Sequence, residues 1–177
     1  MAYKTLSSKN IYRGRIFNIV KSRLSGPDGR RFERDTIVHP GASAMIPIIS
    51  KDKVLLVSQF RYATGQSLWE IPAGTLDKNE PPARCARREL QEETRYTART
   101  MKKILSFFSC PGFCTEKIHL FAAKGLAKAK TESHQDADEY INCRAFTRRD
   151  ISRMLRTGRI KDAKSIIGLS LWLSGKL

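Results

Sequence analysis

The sequence predicts an α/β sandwich, in which helices cover a mixed sheet and an antiparallel β extension stands at the N-terminal end. Three observations carry that expectation. Runs rich in Val, Ile and Leu fall on both sides of one acid-bearing stretch of helical spacing, a second helical stretch closes the chain, and two strand-like stretches, Arg15–Val20 and Arg31–Val38, flank a Gly-Pro turn. A chain of 177 residues has the length of one domain with a small addition, and we divide it into an extension at 1–40 and a main domain at 41–177.

The extension reads as a hairpin. Arg15–Val20 and Arg31–Val38 are its strands, and Ser25-Gly26-Pro27-Asp28-Gly29 supplies the turn. Two strands alone are barely stable in water, so this hairpin must lean on the main core or on a second copy of the chain. Ala44–Ile49 and Lys53–Val57 read as core strands flanking Ser50-Lys51-Asp52, with Gln59-Phe60-Arg61-Tyr62 continuing the second. Leu68-Trp69-Glu70-Ile71 is a further short strand, broken by Pro72-Ala73-Gly74. Pro81-Pro82 opens a helix that runs through Thr94, with Ala83, Ala86 and Leu90 as its apolar stripe. Ile104–Phe108 and Ile118–Ala123 are strands separated by Cys110-Pro111-Gly112-Phe113, and the polar stretch from Lys124 to Tyr140 reads as a long surface loop. Ile141–Phe146 returns as a strand. Thr147-Arg148-Arg149-Asp150 has the capping-box pattern for a helix over Ile151–Leu155, and Asp162 caps a last helix through Leu173.

Charge is the strongest compositional signal. Lys and Arg number 33 against 17 Asp and Glu, a net +16, so the surface favours anionic partners. The charge is spread, in Arg30-Arg31, Lys102-Lys103 and Arg148-Arg149, with no basic tail of the kind that marks a nucleic-acid arm. Cys85, Cys110, Cys114 and Cys143 form neither a CxxC pair nor a zinc spacing, which fits free thiols in a reducing compartment. The start has no apolar core of a leader and no window is long and apolar enough to span a bilayer, so the expected location is the cytoplasm.

Within this basic chain Glu80, Glu89, Glu92 and Glu93 cluster between Gly74 and Tyr96. Glu89, Glu92 and Glu93 stand at i, i+3 and i+4 and share one helix face, where they repel one another unless a cation lies among them. Hard divalent cations take such oxygen ligands and keep several waters. A bare triad of this kind is more often a solvated face, so the surrounding frame decides.

Gly74, five residues, Glu80, seven residues, then Arg88-Glu89-Leu90-Gln91-Glu92-Glu93 resembles the signature box of the Nudix hydrolases, a loop–helix–loop led by glycine. The resemblance implies a Nudix-type α/β/α sandwich and hydrolysis of a nucleoside diphosphate linked to another moiety, with Mg2+ or Mn2+ as cofactor. It makes Glu89 and Glu93 the principal metal ligands, Glu92 an additional one and the Ala73 carbonyl a main-chain ligand. Arg88 and Glu80 become the ion pair that orients them. The pattern departs from the family at Arg95 and Tyr96, where a glycine and an aliphatic residue normally stand. Glycine takes a left-handed helix end freely, whereas arginine pays about 1 kcal/mol, so a different exit loop is expected there.

Outside the box, Leu68–Gly74, Ser109–His119 with Pro111, and Gln59-Phe60-Arg61-Tyr62 resemble the ADP-ribose and nucleoside diphosphate sugar pyrophosphatase branch. That resemblance also takes in the C-terminal segment Gly158–Lys164 and covers nearly the whole chain. It implies that Arg61 contacts the substrate diphosphate, a role that suits a bidentate guanidinium. Glu70, Phe113 and Glu116 are further substrate contacts on the same basis. N-terminal strands exchanged between two subunits imply a homodimer, with Arg31 contacting base or ribose across the interface.

A second acidic cluster, Glu132, Asp136, Asp138 and Glu139, reads as a solvated loop on its own. In the branch it resembles, a loop here delivers the general base; Glu139 is the first choice and Asp138 the second. The implied reaction is in-line attack by an activated water on one phosphorus, releasing a nucleoside monophosphate and a sugar phosphate. Two other readings stay open. One is a Nudix enzyme acting on RNA 5′ ends, which the charge would suit, and the other is a silent nucleotide-binding sensor. His39, His119 and His134 show no metal spacing, and Trp69 and Trp172 read as packing residues.

Overall fold

The computed structural model describes residues 2–129 and 141–177, so the stretch carrying Asp138 and Glu139 lies outside the described residues. Ten strands and three α-helices follow one another along the described chain. β1 (Lys4–Arg13), β2 (Asn18–Ser25) and β3 (Arg31–Val38) form an antiparallel three-stranded sheet. The hairpin is as expected, with Gly29 at φ 78 in its turn. Its first strand, however, starts at Asn18 rather than Arg15, and β1 is an unforeseen third strand. β1 escaped the sequence reading because all ten of its residues are exposed, so no hydrophobic alternation marks it.

The main sheet contains β4 (Ala42–Ser50), β5 (Lys53–Arg61), β8 (Tyr96–Phe108), β9 (Lys117–Lys128) and β10 (Asn142–Thr147), in the order β10-β5-β4-β9-β8. β4 and β9 run parallel, and the other pairs along this path are antiparallel, which gives the expected mixed sheet. Residues Lys124–Lys128, expected in a loop, extend β9 against Tyr96–Thr100. That stretch is polar because its outer face is solvated, while the pairing is made by backbone.

Side chains alternate across this sheet and so serve two cores. Met45, Phe121 and Ala123 face α1 (Pro82–Thr94) and pack with Ala86, Leu90 and Ala98. Ile46, Leu56, Leu120 and Ala122 face the other way and pack with Ile151 and Met154 of α2 (Arg148–Arg156) and Leu169 and Trp172 of α3 (Ala163–Leu173). Helices therefore cover both faces, as an α/β sandwich requires. Each fully buried aliphatic side chain here contributes about 1.5–3 kcal/mol. Ala83 does not belong to the stripe of α1; it is exposed, and Cys85 is buried in its stead. Both expected caps are present: Thr147 and Asp150 bond reciprocally at α2, and the Asp162 carboxylate accepts from Ser165 N at α3.

The sheet forks at one end. β4 pairs with β5 only from Ile48 to Ser50. Beyond that point β4 takes β7 (Ala73–Thr75), while β5 takes β6 (Gln66–Glu70). The short crossing from β6 to β7 lies between the two prongs, with Met45 N donating to Pro72 O at 3.0 Å, and it delivers Ala73 and Gly74 to the start of α1. The expected break at Pro72 is real, but Ala73 to Thr75 resumes as a strand. The extension joins the main sheet through the end of β3: Ile37 N donates to Phe113 O at 2.8 Å and Thr115 N to Ile37 O at 2.9 Å. Among the described residues no helix is long and apolar enough to cross a membrane.

Arg95 ends α1 at φ 63 and ψ 23, and its N donates to Gln91 O. The exit therefore keeps the left-handed cap that glycine would give, and β8 begins at the next residue. Its side chain is exposed, so the conformation is held by the backbone alone. We expect Arg95→Gly to be more stable than Arg95→Ala by about 1 kcal/mol, because both remove the cation and only alanine keeps a strained Cβ. Urea unfolding of the two variants measures this, and equal midpoints would show that Arg95 carries no strain.

Candidate active site

The fork and the C-terminal half of α1 bring the clustered acids together. Three carboxylates on one face need a counter-charge, and the chain supplies its own in Arg88. Its Nε and Nη2 donate to the two oxygens of Glu80 at 3.1 and 3.0 Å, while Nη1 donates to Glu89 Oε1 at 2.6 Å and Glu92 Oε2 at 2.9 Å. Nη2 also reaches the Thr75 carbonyl at 3.3 Å. One guanidinium thus spans three carboxylates and the loop before the helix, a task for a planar fork rather than an ammonium. The Arg88 hydrogen bond holds Glu80 below the usual carboxylate range, helped by Asp77 N, and Glu80 in turn raises the pKa of Arg88 above that of an ordinary guanidinium.

Gly74 fixes where Glu89 can lie. A Cβ added at Gly74 would stand 1.9 Å from Glu89 Oε1 and 2.0 Å from its Cδ, so the carboxylate rests directly on the glycine. Cys85 lies beneath the same loop, donating from Sγ toward Gly74 O and Thr75 O at 3.5 and 3.6 Å. Burial, with the charges of Glu89 and Glu80, pushes this thiol up to about 12, so it remains a neutral donor. Glu93 is buried on the next part of the helix face, where its Oε2 accepts from Ala73 N at 3.1 Å. The bond brings the carboxylate to the same residue whose carbonyl was expected as a ligand.

These donors suit a hard divalent cation, since Glu89, Glu92, Glu93 and the Ala73 carbonyl offer only oxygen. Among the described residues no three acid, His or Cys side chains already stand close enough to clasp an ion unaided. A cation here would complete its shell with water and phosphate oxygens, the usual habit of Mg2+.

Arg61 and Glu70 form a second charged group, on β5 and β6 across the fork. Arg61 Nε and Nη2 donate to Glu70 Oε1 and Oε2 at 2.8 and 2.9 Å. Glu70 is only 2% exposed, and Lys164 of α3 also bonds its Oε2. Burial alone would raise the Glu70 pKa, but the bond from Arg61 and the charge of Lys164 prevail and hold it low. The bond to Glu70 likewise raises Arg61, with Glu93 contributing from nearby. Lys164 in turn reaches Asp162 at 2.9 Å, and Ser165 Oγ accepts from Ile71 N at 2.8 Å. The sequence reading gave Lys164 no role. Its signal was present in the segment Gly158–Lys164, but only the fold shows that α3 starts against the fork.

The remaining expected residues are more scattered. Phe113 is 55% exposed in the loop bonded to β3, and Glu116 stands 3.8 Å from His39 Nδ1 in the same loop. Arg31 is exposed at the turn end of β3, opposite the end that meets this loop, so one copy of the chain does not bring it to the box. Asp138 and Glu139 lie outside the described residues.

Gly74→Ala should destabilise the fold by about 0.5–1.5 kcal/mol, because the Glu89 carboxylate must swing off its bond to Arg88 to clear the new Cβ. In a Glu89→Ala background the same change should cost much less, and a denaturation double-mutant cycle measures the difference. Equal costs in both backgrounds would separate Gly74 from Glu89.

A family model described as NUDIX domain matches residues 39–167. Among known proteins, the methanol dehydrogenase activator of Bacillus methanolicus is 37% identical, covering 94% of this chain and 90% of that protein. The ADP-ribose pyrophosphatase of Bacillus subtilis is 34% identical over 92% of this chain and 88% of its own length. The GDP-mannose pyrophosphatase of Yersinia enterocolitica is 37% identical over 72% of this chain and 70% of its own. A crystal structure of an ADP compounds hydrolase shares the fold at a TM-score of 0.85, covering 99% of this chain and 96% of that one at 20% identity. With the Gly74–Glu93 box assembled around Arg88 as described, the chain belongs to the Nudix hydrolases, enzymes that act on phosphoric anhydrides and generally need a divalent metal ion.

Proposed function

We propose that this chain hydrolyses the diphosphate bond of nucleoside diphosphate sugars, of the ADP-ribose or GDP-mannose kind, to a nucleoside monophosphate and a sugar phosphate. The observation that carries the reading is the Arg88-bridged set Glu80, Glu89 and Glu92 beside Gly74, with buried Glu93 alongside. Two relatives, an ADP-ribose pyrophosphatase and a GDP-mannose pyrophosphatase, suggest the substrate class.

Glu89 and Glu93, with the Ala73 carbonyl, would hold Mg2+ or Mn2+, and Glu92 would add a ligand directly or through water. Such an ion, when bound, offsets phosphate charge and makes a bound water more acidic. Arg88 and Glu80 keep the ligand carboxylates in place. Arg61 spends Nε and one Nη2 proton on Glu70 and can present the rest of its fork to the diphosphate. Glu70, gripped by Arg61 and Lys164, fixes the direction of that fork. Glu139 is our first assignment for the base that takes the proton of the attacking water and Asp138 the second. Phe113 and Glu116 lie in the loop that β3 anchors, and we assign them to substrate contact.

The extension supports a homodimer. Tyr3, Leu6, Ile11, Tyr12 and Ile16 are 41 to 66% exposed, an apolar burden that a three-stranded sheet does not carry free in water. A second copy laid against it would bury these side chains and offer Arg31 to the partner's substrate. Light scattering at micromolar concentration should give twice the chain mass; a monomer would remove the dimer and with it the role of Arg31.

The activity is tested by incubating the protein with Mg2+ and ADP-ribose, GDP-mannose, other nucleotide sugars and triphosphorylated RNA, and identifying the products. We expect a nucleoside monophosphate and a sugar phosphate, and a loss of about a hundredfold or more in kcat/KM for Glu93→Gln. Wild-type turnover by Glu93→Gln at saturating Mg2+, or cleavage of RNA ends alone, would overturn the proposal.

A further inference from the structure

On the face of the sheet opposite α1 lies a cavity of about 200 Å3, walled by Trp69 and Phe146 and by Arg144, Arg153, Arg159 and Asp150 among others. Register places it firmly on that face. Trp69 is opposite Ser58, Arg144 opposite Leu56 and Phe146 opposite Val54, and these even-numbered β5 positions share the α2–α3 side. Glu70, Val57 and Cys143 point the other way, so the cavity and the acidic box are separated by the sheet.

Its lining is chemically distinctive. Trp69 and Phe146 meet edge to face with centroids 4.9 Å apart, and the Arg144 guanidinium lies 5.7 Å from the Phe146 ring centre. Asp150, the one acid in the wall, is already committed. Its Oδ2 accepts from Thr147 N and Oγ1 at 3.1 and 2.6 Å, and its Oδ1 pairs with Arg153 at 3.4 Å. Among the described residues the guanidinium groups of Arg144 and Arg159 have no ion-pair partner, although both open onto the same hollow. Two guanidiniums without an ion-pair partner among the described residues, set over an aromatic floor, favour a compact anion with several acceptor oxygens. The volume falls below the about 300–1,000 Å3 of pockets that enclose larger ligands, which excludes a whole nucleotide sugar.

We infer that this cavity is a second anion site, distinct from the box, that binds phosphate either free or as a small sugar phosphate. The two segments that wall it also serve the fork: Trp69 precedes Glu70, and Arg159 precedes Lys164 by five residues in the loop that starts α3. A bound anion therefore sits back to back with the Arg61–Glu70 pair. The sugar phosphate that the proposed reaction releases belongs to this ligand class, and that point alone rests on the proposed function.

The test needs no hydrolysis, so it stands apart from the activity assay. The full chain, without divalent metal and at constant ionic strength, is titrated with inorganic phosphate and with ribose 5-phosphate, following tryptophan emission and heat. Saturable binding is expected, unchanged in Glu93→Gln and weakened about tenfold or more in Arg144→Gln/Arg159→Gln, with each single variant intermediate. Both arginines are exposed, so the variants should keep the wild-type melting temperature. Whichever ligand binds more tightly identifies the form of phosphate held. The inference is overturned if binding does not saturate, if chloride or acetate reproduces it, if the arginine variants bind as wild type, or if Glu93→Gln abolishes it.

Discussion

The site depends on one guanidinium. Glu80, Glu89 and Glu92 are close enough to repel one another, and Arg88 converts that repulsion into a fixed constellation by bonding all three. Exposed ion pairs contribute little stability, but Glu80 is mostly shielded and the Arg88 fork is bidentate toward it, so the value of the pair lies in geometry. The contact between Gly74 and Glu89 supplies the complementary constraint. Arg88 pulls the carboxylates together, and the absence of a Cβ at Gly74 decides how near the loop they may come.

The fork in the sheet explains why this constellation meets Arg61. A continuous β4–β5 ladder would leave no room for the crossing at Ile71–Pro72, and Ala73 would not reach α1. Because the two strands part, β6 can bring Glu70 against Arg61 while β7 brings Gly74 against Glu89. The cost is a buried charged group, since Glu70 is 2% exposed. Two cations, Arg61 and Lys164, offset that burial, and removing either would leave an undercompensated carboxylate in the interior.

Much of this was legible in the sequence for particular reasons. The helix Pro82–Thr94 and the residues of its box follow from side-chain spacing on a single element, which a linear pattern records directly. The strands β4, β5 and β9 bury near-continuous apolar runs, so composition alone marks them. β1 has no buried face and left no pattern. Lys124–Lys128 has only Leu126 turned to the core, so its composition is that of a loop although its backbone is paired. Lys164 stands ninety-four residues from Glu70, and only the packing of α3 against the fork joins them. At Arg95 the residue departs from the family pattern but the backbone conformation does not, since Arg95 takes the left-handed cap at a φ of 63 and its N donates to Gln91 O.

We propose that Arg88 acts by holding carboxylates in place for a divalent ion. Electrostatics alone would have the opposite consequence, since deleting a positive charge beside a cation site should tighten cation binding. Mn2+ binding followed by paramagnetic resonance, in wild type and Arg88→Gln, separates the two. Arg88→Gln should bind Mn2+ about ten- to a hundredfold more weakly, as loss of an orienting partner does at metal sites. Equal or tighter binding by Arg88→Gln would contradict it.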